Sequence, residues 1–157
     1  MKKNTPKDAK LRDGLRLLFA DDGPSIQKVM NLELPRMGHE VTICPDGLTA
    51  VAALECNTYD CILVDLDMPG LNGIQVIERA KELAPETEAV VLTGKSSLQT
   101  AVAALRQGAF DYLTKPCKLV ELESLLTRIK QKRELQNQYR ALKQQLVRIE
   151  GDKNLIG

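Results

Sequence analysis

The chain has 157 residues, with 22 lysines and arginines against 21 aspartates and glutamates, for a formal net charge of +1. That length suits one domain with a full core plus a modest extension, and the balanced charge gives no global bias towards nucleic acid or membrane. No apolar run approaches the roughly 20 residues that span a bilayer, and the charged start lacks the apolar core of a secretory leader.

Residues 1–13 are therefore expected to form a disordered arm, in a cytoplasmic protein with no membrane contact. Cys44, Cys56, Cys61 and Cys117 show no paired C-x-x-C spacing and no histidine nearby, which argues against zinc. They read as reduced core fillers. His39, after Gly38, reads as a surface residue in a turn.

Strand and helix signals alternate five times. The first strand, residues 15–20, runs straight into Asp21-Asp22. A helix over 25–34 follows, with Pro24 near its first turn and Pro35 ending it. The second strand is 40–44, and Asp46-Gly47 turns into a helix over 48–55. The third strand, 61–65, has four apolar positions closed by Asp65. Gly73 opens a helix carrying Ile74, Val76, Ile77, Ala80 and Leu83 and stopped before Pro85. The fourth strand is 89–93; Ser97 caps a helix with Leu98, Ala101, Val102 and Leu105, closed by Gly108. The fifth strand, 111–114, ends at Lys115-Pro116, and a last helix starts near Leu119.

Five such units with short connections imply a parallel sheet covered on both faces. The expected architecture is a flavodoxin-like, doubly wound α/β fold with strand order 2-1-3-4-5 and an extended C-terminal helix. Strands one and three are then neighbours, and Asp21, Asp22 and Asp65 meet in one crevice. Clustered carboxylates repel one another unless a cation neutralises them, which points to Mg²⁺. Thr93, Lys115 and Asp67 fall at strand ends facing the same crevice, Asp67 where its backbone carbonyl could reach a shared cation. The set is suited to phosphoryl transfer. Asp65 is a carboxylate nucleophile, Asp22 and Asp65 are oxygen ligands, Lys115 offsets phosphoryl charge and Thr93 supplies a hydroxyl donor. Singly, each has a plain reading: a turn-forming aspartate, a solvated lysine, a strand end. Convergence favours function.

Asp21-Asp22, Asp65 within Val64-Asp65-Leu66-Asp67-Met68-Pro69-Gly70, Leu92-Thr93-Gly94 and Tyr112-Leu113-Thr114-Lys115-Pro116 resemble the motifs of two-component response-regulator receiver domains. The resemblance covers roughly residues 14–127. It implies that Asp65 takes a phosphoryl group from a sensor histidine kinase, that Asp22 binds Mg²⁺ directly and Asp21 through water, and that Lys115 binds phosphate. It also implies a switch pair, Thr93 and Tyr112, and a homodimer through the fourth helix, fifth strand and fifth helix. For Tyr112 the plain alternative is half-buried packing. Two departures stand out: Gly23 replaces a common glutamate, and Pro35 falls where the first helix usually continues. A salt bridge of Asp67 with Lys95 across the crevice is a further expectation.

From residue 128 to 148 seven basic residues face one acid, Glu134, and no proline or glycine intervenes before Gly151. Leu135, Leu142 and Ile149 recur every seven residues, with Leu125, Tyr139 and Leu146 on the complementary seam, interrupted by Lys132. Residues 128–157 read as a coiled-coil linker and second dimer contact, continuous to about Ile149. The basic residues interleave with the apolar ones, which argues against direct DNA contact. With the terminal Asn154-Leu155-Ile156-Gly157, the segment resembles the linker of sigma-54-dependent activators, implying an absent AAA+ output domain and only indirect contact with DNA.

Asp65-Leu66-Asp67 also resembles the nucleophile motif of haloacid-dehalogenase-type phosphatases. In that family the nucleophilic strand usually comes first; here it is third, and no room remains for a substrate cap. The chain reads as no enzyme for free substrates, catalysing only its own phosphorylation and dephosphorylation. A receiver serving another output, or acting alone, is the remaining alternative.

Overall fold

Strands and helices alternate through the computed structural model, which describes residues 13–94 and 98–156. The elements are β1 (Arg16–Ala20), α1 (Pro24–Arg36), β2 (Glu40–Cys44), α2 (Gly47–Cys56), β3 (Cys61–Asp65), α3 (Gly73–Leu83), β4 (Glu88–Thr93), α4 (Leu98–Arg106), β5 (Asp111–Thr114) and α5 (Leu119–Ile156). All strand pairs are parallel and the order is β2-β1-β3-β4-β5, the doubly wound arrangement expected. Burial follows from that order. β3 and β4 are buried at every residue, whereas β2 and β5 are edges with exposed or half-buried positions.

Side chains alternate across each strand. Leu18, Ala20, Ile62, Val64, Ala89 and Val91 enter one core cluster with Ala50 and Leu54 of α2, Val76, Ile77 and Ala80 of α3, and Ala104 of α4. The alternate residues Leu17, Phe19, Leu63, Val90 and Leu92 are equally buried, as are Met30 and Leu34 of α1. Helix starts follow from local chemistry. Asp46 accepts the Thr49 N–H at 2.7 Å, which holds its carboxyl below the usual range. Asn72 and Gln75 form a reciprocal capping box at α3.

The first helix does not stop at Leu34. Pro35 lies within its last turn and α1 ends at Arg36. A proline there forfeits one donor without displacing the next turn. Termination comes instead from Gly38, with φ +94: its N–H returns to Pro35 O at 3.0 Å and the His39 N–H to Leu34 O at 3.1 Å. His39 is half-buried, and its Nδ1 accepts the Leu15 N–H at 2.9 Å, so it anchors the start of β1. Cys44 and Cys61 are buried, but Cys56 is exposed and Cys117 half-buried, so only two cysteines fill the core. The expected arm, apart from Asp13, and the Ser97 cap and Lys95 contact lie outside the described residues.

The chain divides into two compact units between Glu123 and Ser124. In the second, α5 runs through Gly151 to Ile156, beyond the expected end. Leu125 is buried, so it does not join the open seam. Leu135, Tyr139, Leu142, Leu146 and Ile149 are 52–66% exposed. Their heptad spacing places Gln136, Gln138, Gln145, Lys143 and Glu150 at the flanking positions, with Arg133, Arg140 and Arg148 further out. Among the described residues, no helix is long and apolar enough to cross a membrane.

Candidate functional site

The site forms where β1, β3 and β5 end. Ala20 is opposite Val64 in the β1–β3 ladder, which sets Asp21 and Asp65 side by side. Lys115 follows β5, two strands from β3, and reaches across the end of β4. Its Nζ stands 2.8 Å from Asp21 Oδ2 and 3.0 Å from Asp65 Oδ2. Both aspartates are buried, 1% and 4% exposed. The lysine backbone is fixed as well, its N–H donating to Thr93 O at 2.8 Å.

Asp21 is held from every side. Its N–H donates to Cys44 O at 3.1 Å, and its Oδ1 accepts the Gly23 N–H at 2.9 Å. Its carbonyl accepts the Gln27 side-chain amide at 2.6 Å. Asp65 Oδ1 accepts the Asp67 N–H at 3.2 Å. Burial pushes the Asp65 carboxyl above its usual range; Lys115 and the Asp67 N–H pull it back, and the Asp21 charge raises it further. Burial alone would lower Lys115, but its bonds to Asp21 and Asp65 outweigh that and raise it, keeping the ammonium charged.

The donor set fits a small divalent cation. Asp21, Asp22 and Asp65 offer ligand atoms that all lie within 4.8 Å of one another. Asp21 Oδ2 is buried, with the Lys115 ammonium 2.8 Å away as its close partner. One lysine leaves three carboxylates with surplus negative charge, and hard oxygen donors suit Mg²⁺. Asp22 and Asp67 are exposed at the mouth.

Thr93 is buried at the end of β4, with its hydroxyl donating to Gly94 O at 3.1 Å, so it is near the cluster but not bonded to it. Tyr112 is half-buried against the core cluster on β5, where it pairs with Val91. A cavity of about 410 Å³, lined by Ile26, Leu92, Lys115, Pro116 and Cys117, opens beside the lysine. The Lys115–Pro116 bond is cis.

Two contributors escaped the sequence reading. Gln27 reaches back to the acidic loop, a contact no periodicity announces. Gly73 was read only as a helix opener. A Cβ there would come 2.6 Å from Asp65 O and 2.8 Å from Leu66 Cα, so α3 starts directly against the peptide bearing Asp65.

Residues 17–127 match the response regulator receiver domain model. The chain belongs to that family. This receiver is 38% identical over 112 residues to the DNA-binding transcriptional regulator NtrC of Azospirillum brasilense, covering 71% of this chain but only 23% of that protein. The receiver domain of sensor histidine kinase PA1611 from Pseudomonas aeruginosa PAO1, solved with a magnesium ion coordinated in its active site cleft, is 33% identical. It superposes with a TM-score of 0.68 over 74% of this chain and 98% of that one. The adenylate cyclase structure from Rhodopirellula baltica reaches a TM-score of 0.77 at 29% identity, over 83% of this chain and 98% of that one. Receiver membership sets aside the haloacid-dehalogenase alternative.

Proposed function

We propose that this receiver is a phosphorylation-dependent switch in which Asp65 accepts a phosphoryl group from the phosphohistidine of a sensor histidine kinase. One observation carries the reading: two buried aspartates from adjacent strands share a single ammonium at the sheet's carboxyl edge. A carboxylate oxygen of Asp65 bonds to phosphorus as the P–N bond breaks, and the kinase imidazole leaves with the electron pair. Asp22, Asp65, the Asp67 carbonyl and, through water, Asp21 are the groups that would hold Mg²⁺. Bound there, it would neutralise charge on the phosphoryl oxygens. Lys115 adds its own charge to those oxygens, and the Thr93 hydroxyl leaves Gly94 O to donate to one of them. Tyr112 then turns inward as the second half of the switch. Hydrolysis of the acyl phosphate resets Asp65, and no free substrate is turned over.

The output reading is a cytoplasmic sigma-54-dependent activator, dimerised through α4, β5 and α5 or through the seam on α5. The NtrC relative and the terminal Asn154-Leu155-Ile156-Gly157 support it. The Rhodopirellula neighbour, named an adenylate cyclase, supports a second reading in which the receiver serves another output.

Intact mass spectrometry after incubation with acetyl phosphate and Mg²⁺ tests the central step. The chain should gain one phosphoryl group, and Asp65→Asn should gain none. Equal labelling of Asp65→Asn would place the acceptor elsewhere.

A further inference from the structure

We propose that Gln27 is a positioning residue for the cation site: its side-chain amide fixes the peptide that joins Asp21 to Asp22. The inference rests on the Mg²⁺ reading above. The donor is 2.6 Å from Asp21 O. The two torsions that flank this peptide, ψ of Asp21 and φ of Asp22, set the separation of the two Cα–Cβ bonds that carry the carboxylates. Asp21 is tied down elsewhere, through Cys44 O and the Gly23 N–H. Asp22 is exposed, and its placement follows from that peptide plane.

Helix formation does not account for the contact. The α1 N-cap is Gly23, which has no side-chain cap, and the Gln27 backbone N–H already donates to Gly23 O at 3.1 Å. The side chain instead reaches past the N-cap to the acidic loop. Only the amide nitrogen can face a carbonyl oxygen at that distance, so its orientation is fixed by chemistry. Neutrality matters too. A lysine or arginine at position 27 would supply a donor together with a positive charge that opposes cation binding by three carboxylates.

The test compares the full chain with Gln27→Met and Gln27→Glu, titrated with MgCl₂ by calorimetry and followed by ¹⁵N correlation spectra without metal. Gln27→Met keeps the shape and removes the donor, so Mg²⁺ affinity should fall, by at most about fivefold, the full worth of one hydrogen bond. Its metal-free spectrum should shift at Asp22 and Gly23 and leave the sheet residues in place. Gln27→Glu should also weaken binding, although it adds a carboxylate. Tighter binding by Gln27→Glu would mean that charge alone governs the site, and overturn the proposal. So would wild-type affinity in Gln27→Met, or spectral changes spread across the sheet. If the wild-type chain itself binds no Mg²⁺, the metal reading fails together with this one; if only the variants behave as wild type, the positioning role alone fails.

Discussion

Replacing Lys115 with methionine removes the ammonium that Asp21 and Asp65 share while keeping most of the apolar stem. At an effective dielectric of about 20, unit charges at 2.8 and 3.0 Å attract by roughly 6 and 5.5 kcal/mol. The loss is far smaller than that sum. The lysine side chain is 34% exposed and partly screened, and its own desolvation is recovered in the variant. A ceiling also applies, because one carboxyl can take up a proton. For an ordinary carboxyl near 3.9 this costs about 4 kcal/mol at pH 7. The expected destabilisation is about 2–3 kcal/mol at pH 7 without metal. Its sign with pH is fixed. In the variant, burial and the neighbouring carboxylate hold a folded-state carboxyl above its unfolded value, so the fold gains relative stability as pH falls. The deficit should shrink by up to about 1.4 kcal/mol per pH unit between pH 7 and 5. Wild-type Lys115, raised in the fold, contributes fully below its unfolded value and stays constant across that window. Wild-type Asp65, already raised by burial, gains in the same direction, so only the further rise in the variant shrinks the deficit. Urea unfolding followed by circular dichroism at pH 7, 6 and 5 in EDTA reads the effect, and Mg²⁺ should restore part of it. A deficit below about 1 kcal/mol at pH 7, the worth of an exposed pair, or one equal at pH 5 and 7, would refute the reasoning.

Gly73→Ala should cost about 1–3 kcal/mol by overpacking against the Asp65 and Leu66 backbone; an unchanged urea midpoint would show that α3 shifts freely. Burial, with Asp46 adding, pushes the Cys44 thiol up to about 11. The stability from that bound proton is present below the ordinary thiol value and lost as pH climbs towards the folded one. At pH 8, maleimide should therefore label exposed Cys56 well before Cys44, and peptide mapping that finds Cys44 labelled first would contradict this. Stopping the chain after Lys130 should leave a phosphorylatable protein with reduced self-association in sedimentation velocity. Undiminished association would move the dimer contact away from the seam.

Much of the fold was legible because each strand is a short apolar or alternating run bounded by turn signals. The predicted bounds of β2, β3 and β5 match those observed, since each apolar or alternating run is closed by a turn residue. The site was legible for the same reason: strand order alone brings Asp21, Asp65 and Lys115 to one edge. What failed was local. Pro35 looked like a stop, but termination belonged to the positive φ of Gly38. Leu125 matched the heptad spacing, yet spacing does not distinguish a buried leucine from one on an open seam. Gln27 and Gly73 act through single contacts outside their own helical pattern, one by donating a hydrogen bond and one by lacking a Cβ. Such contacts leave no trace in periodicity.

The glutamines beside the α5 seam bear on insulation between signalling routes. Helices that pair in parallel commonly choose partners through opposite charges at flanking positions. Here those positions hold Gln136, Gln138 and Gln145 with only Lys143 and Glu150 charged, so a homodimer on this seam has almost no ionic code. A relative expressed in the same cell with a similar apolar stripe would meet little electrostatic rejection. On the proposed dimer, fidelity would then fall to the choice of kinase proposed at the Asp65 crevice. If the proposed homodimer forms on this seam, mixed dimers between related receivers would be its expected failure, and substituting charges at Gln138 and Gln145 would be the direct way to engineer orthogonal pairs.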